Sequence, residues 1–104
     1  MFATPGVNIG LFCSTPMVAV SRKINKKPMM KMLLTGEPIK ANFAKEIGLI
    51  NDCFSKSKLN NEVLKIAKKI ASKSNLTIKI GKRTFYKQLE MPLRKAYALS
   101  LIHI

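Results

Sequence analysis

The clearest hydrophobic period in the chain lies between Lys58 and Ser74, where Leu59, Val63, Ile66, Ala67 and Ile70 recur every three or four residues. Asn60, Glu62, Lys65, Lys69 and Lys73 fill the complementary positions, so the segment predicts an amphipathic helix with one apolar stripe. A further helix is expected over Leu76 to Leu89 despite Gly81, with Ile80, Thr84 and Phe85 available for packing. Pro92 opens another, carrying Ala96, Tyr97 and Leu99.

The first half is less regular. Val7, Ile9 and Leu11 alternate at strand period between Pro5 and Phe12, which predicts a buried loop and a short strand. Thr15 to Ile24 holds the apolar run Met17 to Val20 and ends in Arg22 and Lys23, as a helix with a basic carboxy terminus does. Lys27 to Leu34 follows as a helix, with Pro28 in its first turn and Gly36 placed to end it in a left-handed conformation. Lys40 to Ile47 predicts a short helix closed by Gly48, and Leu49 to Phe54 a short strand. No internal repeat or low-complexity linker divides the chain, so one domain piece is the simplest organisation.

The apolar fraction of 47% suits a packed fold. A chain of 104 residues is nonetheless small. It buries only about 60–65% of its extended surface, which leaves stability marginal unless a partner covers apolar area. Arg22 and the lysines after it interrupt the first apolar region, so no membrane span is expected, and Pro5, Asn8 and Pro16 argue against a signal peptide. The chain is expected to be soluble. The net charge of +14 raises a nucleic-acid reading, since clustered cations neutralise phosphates. Yet there are 16 lysines and 3 arginines, and arginine is the usual bidentate reader of phosphate and guanine. A solvated lysine surface is favoured, with a basic nucleic-acid-binding module kept as the alternative.

Candidate chemistry is sparse. Cys13 and Cys53 are too few for a disulfide framework and form no CxxC pair, so reduced, buried thiols are expected and no metal set. Glu37, Glu46, Asp52, Glu62 and Glu90 are the only carboxylates, several beside lysines, and surface pairing or helix-dipole compensation accounts for them. Ser14 and Thr15 lack an accompanying base, and helix capping is their ordinary use. His103 sits in a terminal apolar segment with no partner for catalysis.

Three motifs in order carry a resemblance. Phe2-Ala3-Thr4-Pro5-Gly6-Val7-Asn8-Ile9-Gly10-Leu11-Phe12 is similar to a strand end and loop that line an acyl pocket. Met32-Leu33-Leu34-Thr35-Gly36-Glu37-Pro38-Ile39 resembles a helix-end signature, and Ala44 to Ile50 the small helix and glycine turn after it. With the Gly81-Lys82-Arg83-Thr84-Phe85-Tyr86-Lys87-Gln88 run, this ordered set resembles the crotonase (enoyl-CoA hydratase/isomerase) superfamily over residues 2–100, with Leu101 to Ile104 departing from it as a tail.

The resemblance implies an α/β crotonase-like fold of which this chain is the carboxy-terminal part only, mostly helical with one or two short strands. The amino-terminal spiral core, which supplies the two oxyanion-stabilising backbone amides, has no match here. It also implies a coenzyme A thioester as ligand, no other cofactor, and a homo-oligomer, trimeric or hexameric, in a bacterial cytoplasm or the mitochondrial matrix. Hydratases of the superfamily set two glutamates about the double bond, and the second aligns with Gly6, which has no acid or base to offer. No catalytic residue is therefore assigned. The expected substrate-binding residues are Phe2, Gly6, Val7, Gly10, Leu11 and Phe12 along the acyl or pantetheine arm, with Lys82 and Phe85 toward the coenzyme A phosphates.

Overall fold

The computed structural model describes residues 1–102. Six α-helices follow a 3₁₀ turn at Pro5–Ile9: α1 Ser14–Ser21, α2 Lys26–Thr35, α3 Ala41–Glu46, α4 Leu59–Ala71, α5 Asn75–Leu89 and α6 Leu93–Ile102. His103, expected to be inert, lies outside the described residues. Where the sequence reads as one continuous piece, the backbone gathers into two compact units, one of residues 1–59 and one beginning at Asn60.

In the first unit Ile24, Met29 and Leu33 form a small core onto which Cys13, Met17, Val20, Ile47 and Leu49 pack. Helix α2 is the pillar of this core and turns Met29, Met32 and Leu33 inward. Its boundaries follow from the sequence: Pro28 costs nothing in a first turn whose N–H groups have no helical acceptor, and Gly36 takes φ +64° while its N–H bonds Met32 O at 3.0 Å. Thr35 adds a second lock, since its hydroxyl donates to Lys31 O at 2.7 Å and accepts from Glu37 N at 3.2 Å. Helix α1 ends as its basic terminus predicts, with Arg22 Nη1 donating to Val18 O at 2.9 Å.

Both expected strands take other conformations. Val7, Ile9 and Leu11 fall on or beside the 3₁₀ turn, because Pro5 opens a helical turn and Gly10, at φ +79°, reverses the chain. Leu49 to Phe54 has no neighbouring strand to pair with among the described residues; the N–H groups of Leu49 and Ile50 instead both reach Ala44 O, at 2.9 and 3.3 Å, and close the end of α3. Among the described residues strand pairing is reduced to one antiparallel bridge between Phe2 and Ile39. Both cysteines are free but half-buried, short of the burial expected for them.

In the second unit the three predicted helices are present, and Ser74 caps α5 by accepting from Thr77 N at 3.3 Å. Helix α5 packs against α6, while α4 makes no comparable packing with another element. No side chain of α4, α5 or α6 is buried, and Ile66, in the middle of the apolar stripe, is 52% exposed. The stripe is therefore real as a pattern and uncovered as a surface.

Candidate functional site

Six of the eight expected ligand-binding residues lie on one folded-back loop. Phe2 anchors its start, exchanging two backbone bonds with Ile39: Phe2 N to Ile39 O at 2.9 Å and Ile39 N to Phe2 O at 2.7 Å. The 3₁₀ turn then carries Gly6 and Val7, and after Gly10 the chain returns so that Leu11 N donates to Gly6 O at 2.9 Å. Gly6 N donates to Cys13 Sγ at 3.2 Å, so both backbone groups of Gly6 are held by the returning segment. Asn8 fixes the turn against α2, its side chain lying close enough to Gly36 that a Cβ there would come within 2.7 Å of Asn8 Oδ1.

The glycines have different jobs. A Cβ on Gly6 would meet Cys13 Sγ at 2.9 Å, whereas one on Gly10 would meet nothing within 4 Å. Gly10 thus serves its left-handed backbone, and Gly6 serves close packing. The loop is not buried as the alternation implied. Phe2, Ile9, Leu11 and Phe12 are exposed, Leu11 by 63%, so the loop carries an apolar edge in its sequence with no carboxylate on it. Thr4, 5% exposed, hides a hydroxyl with no hydrogen-bond partner among the described residues.

Lys82 and Phe85 belong to the other unit, on α5. Phe85 meets Tyr86 edge-on, with ring centroids 5.2 Å apart at 85°, and lines a hollow with Leu76 and Ile80. Arg83 and Lys87, one helical turn apart, flank an open hollow of about 270 Å³ with Ile80 and Thr84. Arg83 is the cation that sequence reasoning passed over, and its i, i+4 spacing from Lys87 was the available signal.

Acid–base chemistry is absent from the loop. Asp52 pairs with Lys45 at 2.8 Å and Glu62 with Lys65 at 3.2 Å, both at the surface. The Lys45 hydrogen bond, with the Cys53 amide, draws the Asp52 carboxyl below its ordinary range, and the Asp52 bond raises Lys45 in return. Among the described residues no group of three or more His, Cys, Asp or Glu could hold a metal.

The sequence profile of the enoyl-CoA hydratase/isomerase family matches residues 1–101. The chain belongs to that family. The mouse protein "Enoyl-CoA hydratase domain-containing protein 3, mitochondrial" is 52% identical over 99 residues, covering 95% of this chain and 33% of the mouse protein. Its human counterpart is 50% identical with the same coverage. In solved structures the chain superposes on human enoyl coenzyme A hydratase domain-containing protein 3 with TM-score 0.90 and 49% identity, over 98% of this chain and 40% of the other. An enoyl-CoA hydratase from Mycobacterium smegmatis gives TM-score 0.91 and 40% identity, again over 98% and 40%. The fold is thus crotonase-type, and the chain spans about a third of the length of the curated relatives it matches. The near absence of strands follows from that share of the family fold. No helix among the described residues is long and apolar enough to cross a membrane.

Proposed function

We propose that this chain forms the acyl-facing carboxy-terminal portion of an acyl-CoA-binding member of the enoyl-CoA hydratase/isomerase family that does not hydrate enoyl-CoA by the two-glutamate route. The observation that carries the reading is the Gly6–Cys13 contact. The position at which the family resemblance expects a glutamate is a glycine, and the space its side chain needs is taken by the Cys13 thiol. The exposed edge of Phe2, Leu11 and Phe12 supports an apolar ligand alongside it, since an acyl chain gains by covering such surface.

Coenzyme A is the recognition handle in this reading, with Phe85, Lys82, Lys87 and, from the structure, Arg83 as cations and stacking surface for its phosphates and base. No cofactor beyond the thioester is invoked, and fatty-acid metabolism is the setting. The isolated chain is inactive in this account, because the resemblance assigns the oxyanion amides to a part of the fold without a match here. The names of the mouse and human relatives support a mitochondrial site over a bacterial cytoplasm.

A second reading, a non-catalytic subunit that contributes only to trimer or hexamer formation, draws on the uncovered faces of α4, α5 and α6. Retention on an immobilised acyl-CoA resin of a chimera, in which this chain replaces the matching third of the mouse relative, distinguishes the readings. Elution by free coenzyme A thioester at constant salt supports the proposal. Passage through the resin with salt-sensitive retention on RNA refutes it and returns the basic-module alternative.

A further inference from the structure

Helices α2 and α3 and the loop between them border an open cleft of about 360 Å³. Met32, only 4% exposed, Ile39 and Phe43 give it an apolar floor, and Lys31, Lys40 and Glu37 stand among its walls. None of these three charged groups has an ion-pair partner among the described residues. The loop is firmly built: Gly36 and Thr35 fix its start to α2, and Ile39 is tied to Phe2 by two backbone bonds.

From these features we infer that the cleft is a binding site for a small amphipathic monoanion, a carboxylate on an apolar body of about six to ten heavy atoms. Its volume lies within the ordinary range for small-molecule sites, about 300–1,000 Å³. An apolar body covers the Met32, Ile39 and Phe43 surface, while the carboxylate meets the two ammonium groups. Glu37 opposes the anion but is outnumbered two to one, which selects a single negative charge over a cation or a neutral ligand. The site shares no residue with the loop proposed to face the acyl group, and it does not depend on that reading.

The test is a titration followed by two-dimensional amide NMR, with octanoate, butanoate and octan-1-ol as probes, on the chain and on a chimera in which it replaces the matching third of the mouse relative. Octanoate is expected to shift the amides of Lys31, Thr35, Lys40 and Phe43 saturably, and to bind tighter than butanoate by about two- to fourfold per added methylene. Lys31→Gln and Lys40→Gln each weaken octanoate by up to about fivefold, whereas Glu37→Gln tightens it by about twofold. The opposite signs matter, because misfolding moves all three the same way. Octan-1-ol binding as well as octanoate, shifts confined to other residues, or Glu37→Gln weakening the carboxylate each overturns the inference. Loss of acyl-CoA binding elsewhere on the protein leaves these outcomes unchanged, so the two proposals fail separately.

Discussion

Replacing Gly6 by alanine tests the packing at the centre of the candidate loop. The backbone of Gly6 does not require glycine, since only Gly10, Gly36 and Gly48 have positive φ. Taken alone, the substitution would stabilise by about 0.4–1 kcal/mol, because alanine narrows the unfolded ensemble. Against that stands the contact of 2.9 Å with Cys13 Sγ, closer than real methyl groups approach sulfur. Overpacking of this kind costs about 1–3 kcal/mol, and rotating Cys13 away sacrifices the Gly6 N–H bond as well. The net expectation is a loss of about 1–2 kcal/mol, a fall in Tm of about 4–15 °C for a unit this size. Cys13→Ala alone should cost under about 1 kcal/mol, because Gly6 is half-buried and water can replace the thiol. The double variant should then recover about 1 kcal/mol relative to additivity, and that coupling is the decisive quantity. Urea denaturation followed by far-UV circular dichroism on the four proteins of the cycle measures it. A neutral or stabilising Gly6→Ala, or strict additivity, refutes the claim that Cys13 occupies the place of a side chain at position 6.

Gly36→Ala should lose about 2–3 kcal/mol in the same assay, combining a left-handed backbone with the 2.7 Å approach to Asn8, and Asn8→Ala should restore only the second part. Thr4→Val removes a buried hydroxyl without a partner at constant shape, so stability should hold or rise by up to about 1 kcal/mol; a loss of that size would mean a hidden partner for Oγ1. Leu33→Ala, at 2% exposure, should cost about 2–5 kcal/mol, while Ile66→Ala on the uncovered stripe of α4 should cost under about 1 kcal/mol in this chain. Asp52 has its folded pKa depressed, so its contribution is present above the unfolded value of 3.8 and fades as pH falls through the lower folded value. Lys45, raised above 10.5, contributes below that value and loses it as pH rises further. Carboxyl and ammonium titrations by NMR should therefore bracket a plateau between these limits, small in size and reduced by salt; Asp52→Asn should return Lys45 toward its ordinary value.

Much of the helical layout was legible in the residues. Pro28 and Gly36 bracket α2 because each satisfies a backbone requirement that is local in sequence, and the α4 stripe obeys a period that needs no knowledge of neighbours. The two expected strands failed for the complementary reason. A strand is defined by its partner, and Leu49 and Ile50 found the carbonyl of Ala44 instead. Periodicity likewise announced an apolar face on α4 without revealing that nothing within its unit covers it. At the site, the importance of position 6 came from family resemblance, not from any property of glycine in the sequence. Cys13 was missed as its neighbour because the two meet across a reversal of seven residues, created by the left-handed Gly10. Lys82 was named with Phe85 from their shared run, whereas helical spacing places Arg83 one turn from Lys87.

The central claim, that this portion faces the acyl group but recognises acyl-CoA only within the larger fold, is most directly tested by calorimetry. Butyryl-CoA is titrated into the chain alone and into the chimera with the remaining two thirds of the mouse relative. Saturable heat from the chimera and none from the chain is the predicted result, with crotonyl-CoA hydration undetectable in the chimera while Gly6 is retained. Equal binding by the chain alone, or efficient hydration by the chimera, would contradict it.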